Sequence, residues 1–370
     1  MIYLDNGATS FHKPPGVRAA MIRAMQRCAN PGRGGYPAAM AAAEQVYDCR
    51  ELASKLFSCL PEQVVFTSNC THGLNIAIHS LLEPGDRVLI SGFEHNAVTR
   101  PLYALGAKQI VAGRRLFDWE NTLREWEAAL KTGPKAAIVT HVSNVFGYIL
   151  PVEEMAALCR RYGVPFIVDA AQSAGMIPVD FSAWGAAFIA MPGHKGLLGP
   201  QGTGILLCGQ LPKSFLCGGT GSNSLDQQMP DFLPDKAEAG TLNVPGIAGL
   251  MAGMRYVNQE GIERIFRREK AQARACAEGL RDLGFTVYAG DHQSGTVSFL
   301  PGMDTQEAAQ RLAQMGIAVR GGLHCAPLAH ESAGTLETGT VRLSFGHDAS
   351  AAQTDGFLRA AKRLRSTKLI

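Results

Sequence analysis

Lys195 stands at the end of an apolar run, Ala186 to Met191, within Met191-Pro192-Gly193-His194-Lys195-Gly196-Leu197-Leu198-Gly199-Pro200-Gln201-Gly202-Thr203-Gly204. Apolar runs bounded by glycine read as buried strands. A lysine at such a strand end is partly desolvated, which lowers its pKa and makes its amine the nucleophile that imine chemistry requires. Taken alone, the segment reads more readily as a surface lysine on a glycine-rich turn, because motifs of this length match by chance.

Other reactive or polar groups occupy equivalent places. Val64 to Ser68 reads as a strand and leads into Asn69-Cys70-Thr71-His72-Gly73, with Leu74, Ala77, Ile78 and Leu81 at helical spacing behind. A helix start there offers free N–H groups and the Thr71 hydroxyl to an anion, unless Thr71 is a plain cap. His95 follows the strand Arg87 to Ser91, and Asn144 follows Ala136 to Thr140. Asp169 and Gln172 follow Phe166 to Val168, and Lys195 follows Phe188 to Ala190. An imine between a lysine and an aldehyde cofactor needs an acid that keeps a ring nitrogen protonated, a phosphate cradle and a flat group over the ring. Pyridoxal phosphate with an aspartate partner has that layout. Asp169 suits the ring nitrogen, Thr71 the phosphate, His95 the ring face, and Gln172 and Asn144 the phenolic oxygen. Singly, Asp169 reads as well as a helix cap and His95 as a loop histidine.

The elements that hold these residues are short apolar strands alternating with helical segments, from Val64 to Cys208. Continuous rather than alternating apolar strands favour a largely parallel sheet covered on both faces. Ligands of such sheets sit beyond the carboxyl ends of the strands, where all these candidates fall. Before the sheet, Gly16 to Cys28 and Ala38 to Leu56 read as helices, broken by the glycines and prolines between Pro31 and Pro37. After Pro212 the chain turns irregular, and a single long helix is expected over Asn258 to Leu283. Strands Thr286–Tyr288, Thr296–Leu300, Ile317–Arg320 and Val341–Phe345, with helices Thr305–Met315 and Ala351–Leu364, give a second, α+β unit.

The 370 residues are 46% hydrophobic with a net charge of +3 and no Lys/Arg block, which speaks against a nucleic-acid or polybasic membrane function. Nine scattered cysteines show no CxxC spacing, so zinc has little support and no metal is expected. Free thiols fit a reducing compartment. With no signal-peptide pattern or membrane-length apolar run, a cytoplasmic protein is expected. Gly-Pro-Gln-Gly-Thr-Gly does not fit GxGxxG, so nucleotide binding is disfavoured.

Asp169-Ala170-Ala171-Gln172 followed by Gly193-His194-Lys195 resembles the class V aminotransferase group of fold type I pyridoxal phosphate enzymes. Tyr3-Leu4-Asp5-Asn6, Glu94-His95-Asn96, His141-Val142-Ser143-Asn144 and Glu238-Ala239-Gly240-Thr241 extend the match. Within the group the chain is most similar to the cysteine desulfurase and selenocysteine lyase family. Ala318 to Pro327, with Gly321-Gly322-Leu323-His324-Cys325, resembles the active-site cysteine loop of group II desulfurases, and Val341 to Gly346 the strand of the carboxylate-binding arginine.

The resemblance implies an α/β fold with a large domain over residues 13–256, built on a mostly parallel seven-stranded sheet. It implies a smaller α+β domain formed by residues 1–12 and 257–370. Lys195 is then the Schiff-base lysine, Asp169 the ring-nitrogen partner and His95 the stacking residue. Gln172 and Asn144 lie at the phenolic oxygen; Thr71, His72 and His194 lie on the phosphate side. Thr241 reaches the phosphate of a neighbouring subunit, which implies a homodimer. Arg342, Asn6 and Asn144 bind substrate, with Arg342 as a bidentate carboxylate clamp. Cys325 accepts sulfur from L-cysteine as a persulfide, as a thiolate, and L-alanine leaves; a sulfur-acceptor protein follows. Two departures stand out: Pro192 replaces a phosphate-binding serine, and Leu323 the first of two histidines before the cysteine. Selenocysteine lyase, and an aminotransferase or other lyase on the same fold, are the alternative activities; a non-catalytic scaffold protein is a third reading, against which Lys195, Asp169, His95 and Arg342 argue.

Overall fold

The computed structural model describes residues 1–32 and 34–366. Its main sheet has seven strands in the order Val64–Thr67, Gly204–Cys208, Phe188–Pro192, Phe166–Asp169, Ala136–Thr140, Arg87–Ser91, Lys108–Ala112. The last five run parallel, and Gly204–Cys208 is antiparallel to both its neighbours. The chain is α/β with a mostly parallel sheet, as its continuous apolar strands require.

Successive residues of each strand feed opposite faces, so the sheet divides two cores. Val139, Val168, Ile189 and Leu207 pack beneath the helices Pro37–Phe57, Trp119–Leu130, Val152–Arg161 and Val244–Glu260. Ile138, Ile167, Phe188 and Leu206 pack against Cys70–Leu81 and Asn96–Ala104. A register slip of one residue would exchange the two sets, which fixes the register and therefore the height of every strand end. Truncating Ile138, fully buried, to alanine is expected to cost about 2–5 kcal/mol.

A second, four-stranded antiparallel sheet runs Arg320–Gly322, Thr340–Ser344, Thr296–Leu300, Thr286–Tyr288. Its core collects Leu4 from the start of the chain with Ala273, Cys276 and Leu280 of one helix and Phe357 and Leu364 of another. The strand Ile2–Tyr3 pairs in parallel with Ile317–Ala318. The short helix Pro327–Ala333 behaves differently: Ala326 and Ala329, both fully buried, join the core of the large sheet.

Three regions depart from expectation. The helix expected over Asn258 to Leu283 is two helices, Val244–Glu260 and Ile262–Asp282. They break at Gly261, whose φ of 83° is a conformation that glycine adopts without strain. The strand expected over Ile317–Arg320 splits, its halves joining different sheets. Lys108–Ala112 and Trp119–Leu130 form a strand and a helix where none was expected. That strand lies at the sheet edge, where Lys108 and Gln109 are exposed and the apolar signal is weak.

Candidate active site

The parallel strands end on one edge, and a pocket there is lined by Lys195, Asp169, His95, Asn144, Gln172, Thr71 and His194, together with Cys70 and Pro192. The strands of Asp169 and Lys195 are direct neighbours, with Asp169 paired to Ala190. Glycines let the lysine loop press in: a Cβ on Gly196 would stand 2.4 Å from the Ala174 carbonyl oxygen, and one on Gly253 2.3 Å from that of Leu197. A side chain at either position would displace the backbone beside Lys195.

Lys195 is half-buried and faces this pocket rather than bulk water. Burial lowers its pKa and the charge of Arg342 adds to that, while Asp169 opposes both. Asp169, 2% exposed, is raised by burial. Its Oδ1 accepts from the Ala171 N–H at 2.9 Å and from the Cys70 thiol at 3.4 Å, which leaves Oδ2 outside both bonds. Asp169 does not cap a helix; its carboxylate braces its own turn. Gln172 donates through Nε2 to the Gly7 carbonyl at 2.9 Å.

His95 is the cap of the helix Asn96–Ala104: its Nδ1 accepts the Ala97 N–H at 3.0 Å, which assigns the ring proton to Nε2. Burial, then the charges of Lys195 and Arg342, depress it to about 4, so the ring is neutral near pH 7. His194 is likewise depressed to about 4 by burial and Lys195, and its Nδ1 lies 3.0 Å from Thr9 Oγ1.

At the helix start, Asn69, not Thr71, is the cap; its side chain accepts the His72 N–H at 2.9 Å. Thr71 sits exposed in the first turn. His72 and Thr241 are not in the Lys195 pocket: they line a neighbouring one with Ser68 and Thr203. Asn6 also stands apart, lining a small cavity on the other side of Lys195 with Ser344 and Glu269. Pro192 belongs to its strand and pairs opposite Gly204.

Arg342 is 1% exposed and already engaged: Nη2 donates to Asp5 Oδ1 at 2.5 Å and Nη1 to the Asn144 carbonyl at 3.0 Å, with Nε unpaired. Cys325 is exposed on a turn in which it and His324 both have left-handed backbones, φ 58° and 50°. Its carbonyl accepts the Asn96 N–H at 2.7 Å, and that of His324 accepts from Asn144 Nδ2 at 2.8 Å. His324 is buried, its Nε2 lying 3.0 Å from the Thr340 carbonyl.

Three site neighbours were not given roles by the sequence reading. Cys70 braces Asp169, Asp5 pairs Arg342, and Glu94 ties two strand ends together. Glu94 Oε1 accepts from Ser91 Oγ at 2.5 Å and from the Thr140 N–H at 2.9 Å, and burial lifts the carboxyl to about 8. Each is the immediate neighbour of a recognised residue in a strand-end motif, and that adjacency is the signal that could have found them.

The profile of the class-V aminotransferase family matches residues 2–357. A probable cysteine desulfurase of Methanothermobacter thermautotrophicus is 34% identical over 357 residues, covering 93% of this chain and 89% of the relative. One from Pyrococcus abyssi is 31% identical over 395 residues, covering 100% and 96%. The apo structure of a cysteine desulfurase from Thermococcus onnurineus superposes with a TM-score of 0.91 at 33% identity, over 99% of this chain and 95% of that one. Another from Escherichia coli gives 0.84 at 25% identity, over 99% and 95%. The chain belongs to the class-V aminotransferase family, a family of pyridoxal phosphate enzymes, on its cysteine desulfurase branch.

Proposed function

We propose that the protein is a pyridoxal phosphate-dependent cysteine desulfurase that converts L-cysteine to L-alanine and keeps the sulfur on Cys325 as a persulfide. The observation that carries this is one pocket walled by Asp169 and Lys195, at and just beyond the ends of adjacent strands, and bonded through Asn144 to the turn that presents an exposed cysteine.

The pocket fits the cofactor. Asp169 is a buried carboxylate with one oxygen braced and one outside those bonds, suited to a ring N–H. Asn144 Oδ1 is a buried acceptor without a partner. Lys195 and Asp169 would hold opposite ends of the cofactor, His95 its ring face, Gln172 and Asn144 its phenolic oxygen, and Thr71 and His194 its phosphate. Bound there, pyridoxal phosphate supplies an aldehyde for amines and a protonated ring that withdraws electrons from the substrate Cα.

Lys195, its pKa lowered by burial and by Arg342, moves the Cα proton. His95 stays neutral across the working range. Asp5 holds the Arg342 guanidinium paired until the substrate carboxylate replaces it at the fork. The Cys325 thiolate attacks the substrate sulfur; the carbon–sulfur bond breaks with its electron pair left on carbon, which takes a proton to become the alanine methyl. The sulfur stays on Cys325, and its exposure supports onward transfer to an acceptor protein.

Thr241 and His72 lie outside the pocket, which supports a homodimer in which a partner's Thr241 completes the phosphate site. Thr241 lines a groove with Tyr47, an exposed residue of the helix Pro37–Phe57 that also exposes Met40. Free cysteines throughout support a reducing, cytoplasmic setting; among the described residues no helix is long and apolar enough to cross a membrane.

The test incubates the cofactor-loaded protein with L-cysteine and a reductant and measures alanine and sulfide. Both are expected in equal amounts, and Cys325→Ala loses them. Unchanged sulfide release by that variant would rule out the persulfide step, and no imine absorbance kept by the protein once free cofactor is removed would rule out the cofactor assignment.

A further inference from the structure

His324 and Cys325 are consecutive non-glycine residues with left-handed backbones. Such conformations cost free energy and persist only where surrounding contacts over-determine them. Two contacts reach this turn from segments that follow strands of the large sheet. The Asn96 N–H donates to the Cys325 carbonyl at 2.7 Å, and Asn144 Nδ2 donates to the His324 carbonyl at 2.8 Å. Only the second comes from a side chain. Asn144 is itself fixed: it is 8% exposed, and its own carbonyl takes the Arg342 Nη1 donor at 3.0 Å. Its Oδ1 is buried without a partner, and the residue lines the Lys195 pocket. Behind the turn, the Ala326 N–H closes onto the Leu323 carbonyl at 2.9 Å, and the helix that follows packs into the large core through Ala326 and Ala329.

We propose that Asn144 is the positioning residue of Cys325: its Nδ2 holds the left-handed turn that aims the thiol, while the same side chain walls the Lys195 pocket. Pocket and thiol are then fixed against each other by one amide. The proposal rests on the desulfurase reading only for its effect on turnover; its effect on the turn is independent of any cofactor. The neutral carboxamide is what the position demands. A carboxylate at 144 cannot donate to the His324 carbonyl and places a charge against it.

The test compares wild type, Asn144→Ala and Asn144→Asp as full-length, cofactor-free protein, by amide hydrogen exchange read on peptides spanning 320–328 and 136–140. Both variants are expected to exchange about tenfold faster at 323–326, as the loss of one buried hydrogen bond implies, with 136–140 unchanged. Unchanged exchange at the turn in both variants would overturn the proposal. So would equal acceleration in both segments, which reports general loosening. With cofactor and L-cysteine, kcat is expected to fall about tenfold with KM nearly constant. His324→Gly added to Asn144→Ala should restore part of that loss, because glycine takes the left-handed conformation without strain. No recovery would place the effect of Asn144 at the cofactor and overturn the positioning role. If loaded wild type makes no alanine from cysteine, the desulfurase reading falls while the exchange comparison still decides this one.

Discussion

The Lys195 pocket and the Cys325 turn lie on facing parts of the molecule and are built by opposite means. The pocket is made of strand ends. Asp169 and Lys195 inherit their positions from parallel registers whose side chains fill two buried cores, and glycines without room for a Cβ seat the lysine loop. The turn has no such frame. Cys325 is exposed on it, two residues are left-handed, and two donors from beyond the strand ends of the large sheet hold it. A group that must keep one alignment through a reaction gains from burial in a sheet. A thiol that must take an atom and hand it on gains from a short tether that can be released.

The largest expected effect tests the rigid side. Lys195→Ala should lower alanine formation by about 10³-fold or more, in keeping with loss of a positioned general base, and should abolish the visible absorbance of a lysine-linked cofactor. Retained turnover would mean the pocket is not where the chemistry happens. Asp169→Ala comes next, at about 10²–10³-fold in kcat, as for removal of a preorganised electrostatic partner; spectra and steady-state rates on the loaded protein check it. Arg342→Ala should act mainly on KM, raising it about tenfold or more through one lost charge-assisted pair. A fall confined to kcat would place Arg342 with the turn, through its bond to the Asn144 carbonyl, instead of with the substrate.

The smallest effect spans both regions. Burial depresses His95, His194 and His330 to about 4, and His324 well below its ordinary value. The unfolded chain, with histidines near 6.5, therefore binds more protons as pH falls. Stability from these groups is whole above about pH 6.5 and is lost progressively down to about pH 4. The histidine share of the urea midpoint should fall between pH 7.5 and pH 5, read against Glu94→Gln because Glu94, lifted to about 8, drifts the opposite way over that window. Exchange at 323–326 that rises before exchange in 136–140 would sharpen the contrast between turn and sheet.

Much of the pocket was legible from sequence because its residues follow short apolar runs, and a run of valine, isoleucine and phenylalanine announces its own end. Asp169, His95, Asn144 and Lys195 could be placed on one edge for that reason. The edge strand Lys108–Ala112 was invisible because its solvent side is polar. The break at Gly261 was missed because helical periodicity continues across it. The separation of His72 from Thr71, adjacent in sequence, is a matter of which way neighbouring residues of a helical turn point. The Asn144–His324 bond spans 180 residues, and no local pattern encodes it. Asp5 was marked only by its place beside Asn6, since its role comes from Arg342, 337 residues away in sequence.

That last pairing bears on how the chain is made. The strand Ile2–Tyr3 is completed only by Ile317–Ala318, Asp5 meets Arg342, and the Gly7 N–H donates to Ser344 Oγ. During synthesis residues 2–7 leave the ribosome long before their partners, residues 317–344, have followed. The large sheet can form while its N-terminal clasp is still loose, and non-local closure of this kind is slow. Because the clasp holds Arg342 and, through Gly7, Gln172, the site would become competent as the last event of folding, well after most of the protein already has its shape.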